Sequence, residues 1–134
     1  MNRVIKFRGK NMNGTNWLYG SLIVWPDGDT YIASLKHNEL SDVMPRYDVD
    51  PKTIGQFTGL YDADGKEIYE GDIIESKFGG DKPVRHFVGY NTKEAAFTSE
   101  LIGEFPNSGS IRQSWIDEFG KKVIGNIYDN PELL

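Results

Sequence analysis

The chain has 134 residues, with 15 Lys+Arg against 20 Asp+Glu for a net charge of −5, 15 glycines and no cysteine. A chain of this length forms one domain, or two small units sharing a core, and buries roughly two-thirds of its unfolded surface without a covalent staple. The lack of cysteine excludes a disulfide framework, a thiolate metal centre and a cysteine nucleophile.

The longest aliphatic or aromatic run, Leu22 to Trp25, is far short of the roughly 20 residues that span a bilayer, and nothing at the N-terminus resembles a signal peptide. No membrane association and a cytoplasmic location are therefore expected. The charge is unevenly placed. Arg3, Lys6, Arg8 and Lys10 are the only charged side chains before Asp27, so residues 1–26 carry +4 and the remainder, with 11 basic and 20 acidic residues, carries −9. The acidic focus is Asp62, Asp64, Glu67, Glu70, Asp72 and Glu75, opposed there only by Lys66. Such a split can mark a nucleic-acid or partner surface, but the simpler expectation is that basic and acidic strands neutralise each other within or between chains.

In chain order, Ile5 and Phe7 alternate with Lys6, Arg8 and Lys10, predicting a strand with an apolar inner face and three cations outside. Asn11 to Asn16, centred on Gly14, predicts a hairpin connection to a second strand over Trp17 to Trp25. Pro26-Asp27-Gly28-Asp29 is a turn by composition and Tyr31 to Ala33 adds a third strand. Residues 34–46 read as a loop with one helical turn around Glu39 to Val43. Asp50-Pro51-Lys52-Thr53 reads as a one-turn helix stopped by Gly55.

Strands are predicted over Gln56 to Tyr61 and Lys66 to Tyr69, joined by the turn Asp62-Ala63-Asp64-Gly65, and then over Asp72 to Lys77, Val84 to Tyr90 and Ala95 to Ser99. Gly79 to Pro83 and Gly103 to Gly109 read as loops. From Ser110 to Phe119 the period changes. Ile111, Trp115, Ile116 and Phe119 share a helical face, Ser110 with Gln113 suggests a capping box, and Gly120 supplies a stop. Val123 to Tyr128 closes as a strand before a turn at Asn130-Pro131.

Specific residues carry a resemblance. Val49-Asp50-Pro51-Lys52-Thr53-Ile54-Gly55-Gln56-Phe57-Thr58-Gly59-Leu60, continued by Asp62-Ala63-Asp64-Gly65-Lys66-Glu67-Ile68-Tyr69-Glu70-Gly71-Asp72-Ile73-Ile74, resembles the signature of the YopX-like family of phage and prophage proteins. The ending from Val123 to Leu134, and the opening Ile5-Lys6-Phe7-Arg8-Gly9-Lys10 with Trp17-Leu18-Tyr19-Gly20, are similar to that family's two ends. The resemblance implies a mainly β protein, with an N-terminal antiparallel β-hairpin segment over residues 1–50, a small SH3-type β-barrel over 51–134 and one short helix. It also implies a phage-derived gene in a bacterial host, and it carries over no catalytic residue.

The residues themselves propose little chemistry. With Gly65 as the sixth position of a calcium loop, Leu60 and Gly71 would stand at the first and twelfth, and neither can ligate. His37 and His86, the only histidines, have no zinc spacing, and no nucleophile elbow, phosphate loop or dinucleotide fingerprint is present. No cofactor or metal is expected. Three readings stay open. The favoured one is a non-enzymatic protein-interaction module that self-associates or meets a host or phage protein. A second is a nucleic-acid-binding accessory protein using Lys6, Arg8 and Lys10, opposed by the expectation that Trp17, Tyr19 and Trp25 form the core face of their strand. The third is a hydrolase or metal-dependent enzyme built on Glu70 and Asp72, two apart on one strand face.

Overall fold

The computed structural model describes residues 1–34, 45–77, 80, 82–103 and 106–134. The helical turn expected around Glu39 to Val43 lies outside these residues. The chain divides into two units, Met1–Phe57 and Thr58–Leu134. Its strands are β1 (Phe7–Lys10), β2 (Trp17–Val24), β3 (Thr30–Ser34), β4 (Arg46–Asp48), β5 (Gly55–Tyr61), β6 (Glu67–Tyr69), β7 (Asp72–Ser76), β8 (Val84–Asn91), β9 (Ala96–Leu101), β10 (Ser108–Ser110) and β11 (Lys122–Asn126), with one α-helix, α1 (Gln113–Glu118). Single turns of 3-10 helix cover Pro51–Thr53 and Pro131–Leu133.

In the first unit β4, β3, β2 and β1 form an antiparallel meander, and the start of β5 pairs with β1 through Phe7 with Gln56 and Arg8 with Gly55. Asn11 N–H donates to Asn16 O across the first hairpin, where Gly14 takes φ +70°. The Asp50 carboxylate accepts from Lys52 N–H at 3.0 Å, the N-terminal cap that Asp-Pro predicts. Ile32 and Val49 are buried on one face of this meander, where the chain approaches itself so closely that a Cβ on Gly9 would lie 2.7 Å from Ile54 Cδ1. Strand β4 is not anticipated from sequence, because three exposed residues at a sheet edge carry no apolar alternation.

The second unit contains a five-stranded antiparallel sheet in the order β10-β9-β8-β7-β11, with β6 joined to β5 by the predicted turn. The expected SH3-type barrel is not what forms: β10 and β11 end the order at opposite edges and the sheet stays open. The helix α1 contributes to the core, where its Ile116 joins Ile68, Ile74 and Val88, with Leu60, Ile111, Trp115 and Val123 packed around them. Each such buried aliphatic side chain contributes about 1.5–3 kcal/mol of transfer free energy.

The helix begins later than its sequence pattern suggests. Ser110 ends β10, so the capping box does not form, and Arg112 is the N-cap without a side-chain cap bond. Gln113 is drawn elsewhere: its amide donates to Tyr61 O at 2.7 Å and accepts from Tyr61 N–H at 3.0 Å, pinning the first turn to the end of β5. The stop is as expected, with Gly120 at φ +58°.

Asp62 explains much of this unit's connectivity. Its Oδ1 accepts from the backbone N–H groups of Asp64 and Lys66, both at 2.9 Å, and its Oδ2 accepts from Val123 N–H at 3.0 Å. The predicted turn Asp62-Ala63-Asp64-Gly65 is thus an Asx turn whose first carboxylate also grips β11, while Gly65 adopts φ +83°. Hydrogen bonds to a buried carboxylate are each worth about 1.5–3 kcal/mol. Asp62→Ala is therefore expected to lower the urea-unfolding free energy by about 3 kcal/mol or more, and Asp62→Asn, which keeps one acceptor oxygen, by roughly half as much.

Candidate nucleic-acid interface

The β1–β2 register sets Arg8 opposite Tyr19 and Lys10 opposite Trp17; the β2–β3 register sets Ile23 opposite Tyr31; and the β3–β4 register sets Ala33 opposite Arg46. Directly opposed residues point to the same side of a sheet and side chains alternate along each strand. The cations of β1 and the aromatics of β2 therefore share one face of the first unit, joined there by Tyr31 and Arg46.

Contacts bear this out. The Arg8 guanidinium lies 4.5 Å and the Lys10 ammonium 5.6 Å from the Trp17 ring centre, and Lys6 lies 5.2 Å from that of Phe57. At the far side Arg46 lies 4.9 Å from the Tyr31 ring centre and 5.9 Å from that of Trp25. Such pairs gain from the ring quadrupole, more so where water is excluded.

Two expectations are corrected. Arg8 is not an outward cation: it is only 5% exposed, while Ile5, expected inside, is open to solvent. The guanidinium tolerates burial because it is weakly hydrated and lies against the Trp17 ring. Nor do Trp17, Tyr19 and Trp25 make a core face, since Tyr19 and Trp25 are 48% and 47% exposed. The buried side of β2 is the opposite one, where Gly20 admits the Ala33 carbonyl so closely that no Cβ would fit. The sequence reading placed Tyr31 in a strand but not on this face, and it left Arg46 in a loop, its one signal being the alternation of Arg46 and Asp48 about Tyr47.

Acidic groups limit the basic character of the β3–β4 end. Asp48 stands opposite Tyr31, whose hydroxyl is pushed above its ordinary range by desolvation and then by Asp29 and Asp48. The other end of the face is formed by Lys6 and Lys10 with Trp17 and Tyr19. Within Met1–Phe57 the sequence has seven Lys/Arg against six Asp/Glu, so the acidity of the chain belongs mostly to the second unit.

In that second unit the carboxylates of the acidic stretch have structural partners. Asp72 is 2% exposed, and its Oδ2 accepts from Tyr69 N–H at 2.8 Å across the turn between β6 and β7, where Gly71 has φ +89°. Glu70 lies in that turn, not beside Asp72 on a strand face, because the reversal needs both Glu70 and Gly71. Glu75 accepts from Arg85 Nε at 2.9 Å. Among the described residues no three His, Asp or Glu side chains gather as a metal site.

The second unit also buries a cation. Lys121 is 3% exposed, its ammonium 4.1 Å from the Trp115 ring centre and donating to Ser76 Oγ at 3.0 Å. His86 meets Trp115 edge-on at 5.0 Å, and its buried Nδ1 has no hydrogen-bond partner among the described residues. Burial first, then the Lys121 charge, pulls the imidazole down to about 4, so it is neutral at pH 7. The unfolded chain takes up this proton near the ordinary value of 6.5, so the contribution to stability is complete above that pH and is lost as pH falls toward 4. Between pH 7 and pH 4.5 the wild-type protein is expected to lose about 1–2 kcal/mol more stability than His86→Gln, as read from urea midpoints at the two pH values.

Comparison with known proteins places the chain. No curated protein matches it. Among solved structures, the crystal structure of protein EF1440 from Enterococcus faecalis is similar, with a TM-score of 0.65, 24% identity and 99% of each chain covered, a likeness that shows a shared fold. No helix of the described residues is long and apolar enough to cross a membrane. The family model of the YopX protein matches residues 6–134, essentially the whole chain, and the protein belongs to the YopX family.

Proposed function

We propose that this YopX-family chain is a non-enzymatic binding module, of phage or prophage origin, that holds single-stranded nucleic acid on the cation–aromatic face of its first unit. The observation that carries the reading is the placement of the half-exposed rings of Trp25 and Tyr19 on the same sheet face as Lys6, Lys10 and Arg46. Unspecific single-strand binding needs open rings on which bases stack and cations spaced to meet phosphates. Arg8, buried against Trp17, acts as scaffold and keeps that ring in place.

The footprint is small. About three phosphates met by Lys6, Lys10 and Arg46 give weak binding at low salt and a log–log salt slope of about −2. Fluorescence anisotropy with a labelled 20-nucleotide oligothymidine is expected to show saturable binding that weakens with this slope. Trp25→Ala and Tyr19→Ala should each weaken it about tenfold, since a stacked base contributes roughly 1–3 kcal/mol. The reading fails if there is no binding at low salt, or if binding is indifferent to both substitutions.

A second reading, a protein-interaction module that self-associates, is favoured by the β3–β4 end. Trp25, Tyr31 and Arg46 beside Asp48 have the composition of an interface hot spot with a mixed-charge rim. Sedimentation equilibrium separates the two readings: self-association abolished by Arg46→Glu, in a protein that leaves oligothymidine unbound, supports the second.

A further inference from the structure

One end of the cation–aromatic face differs from the rest in charge. Asp48 stands opposite Tyr31 in the β3–β4 register, so its side chain lies on the same side of the sheet as Tyr31, Arg46 and Trp25. All three residues of β4 are exposed. The charges of Asp29 and Asp48 both act on the Tyr31 hydroxyl, which sets the two carboxylates about the polar tip of that ring. Such a carboxylate repels a phosphate, whereas it attracts the edge of a base that carries hydrogen-bond donors.

Tyr31 and Asp48 also share a cavity. It has a volume of about 420 Å³ and is lined by Tyr31, Asp29 and Asp48 together with Met12, Val49 and Pro51. Its wall thus combines an aromatic residue, apolar residues and carboxylates, a composition suited to a flat ring with polar groups along one edge. Met12 is 66% exposed, an apolar surface that a bound ring would cover. Arg46 lies 4.9 Å from the Tyr31 ring centre and 5.9 Å from that of Trp25, so the cavity's aromatic wall is a near neighbour of the ring on which a base would stack.

Resting on the single-strand reading of this face, we propose that the cavity takes one guanine base of the bound strand, whose N1–H and N2–H groups donate to the Asp48 carboxylate. A carboxylate offers acceptors only, and guanine is the one common base with two adjacent donors on its Watson–Crick edge. Thymine and uracil hold N3–H between two carbonyl oxygens that would face the carboxylate. Adenine and cytosine each set their amino group beside a ring nitrogen that accepts. Asp48 is thereby a specificity-determining residue of a face whose stacking rings are otherwise indifferent to sequence.

The test is fluorescence anisotropy of the full chain at low salt with three labelled 20-nucleotide strands. These are oligothymidine, the same strand with guanine at every fourth position, and that strand with hypoxanthine in place of each guanine. Hypoxanthine lacks only the N2 amino group. The guanine strand is expected to bind about tenfold tighter than oligothymidine, the discrimination of a good bidentate contact, and the hypoxanthine strand to lose most of that gain. Asp48→Asn puts a donor in place of one acceptor oxygen at nearly constant volume. It should abolish the preference for guanine while oligothymidine binds at least as well as before, a pattern that loss of fold does not produce. Oligothymidine binding with no gain from guanine, a full gain with hypoxanthine, or a guanine preference that persists in Asp48→Asn overturns the proposal and leaves the single-strand reading standing. Absence of binding by all three strands overturns both.

Discussion

The recurring interaction in this chain is a cation laid against an aromatic ring. In the first unit Arg8 and Lys10 meet Trp17, Lys6 meets Phe57, and Arg46 meets Tyr31 and Trp25; in the second, Lys121 meets Trp115. The ring allows a charge to sit in or beside the apolar interior at a fraction of the cost of an isolated ion, and it is itself held in one orientation by the cation. In the first unit this yields an ordered aromatic platform with basic groups among it. In the second it yields a buried amine presented to a serine.

The carboxylates play the complementary part. Asp62 and Asp72 look, as sequence, like members of an acidic surface, yet both are buried acceptors of backbone N–H groups that close turns and join strands. Placing them there satisfies donors that a turn would leave orphaned. It also drains the −9 remainder of much of its meaning as an electrostatic surface, since Glu75 too is occupied, by Arg85.

What was legible in the sequence follows from this division of labour. Turns announced by glycine and aspartate were readable, because Gly14, Gly28, Gly65 and Gly71 all take positive φ that side chains resist. Strands with internal alternation were readable too, and β4 and β10 were not, being three exposed residues each that exist only by pairing with a neighbour. The open sheet in place of a barrel was hidden because alternation marks a strand but not which strands pair at the sheet's edges, and the apolar period of the helix says that a face is buried but not what it covers. At the candidate face the residue types were legible and their side was not. Alternation assigned the cations of β1 and the aromatics of β2 correctly to single faces, but which face became the core was decided by Gly9 and Gly20, whose missing Cβ atoms let Ile54, Val49 and the Ala33 carbonyl approach.

The central claim is that the aromatic–cation face of the first unit is where nucleic acid lies, and photochemistry tests it at residue level. An oligonucleotide carrying 5-iododeoxyuridine, irradiated with the protein at low salt and mapped by mass spectrometry, crosslinks to rings that stack on its bases. The account predicts adducts at Trp25 or Tyr19 that disappear as salt rises. Adducts confined to residues 58–134, or none at all, would contradict it.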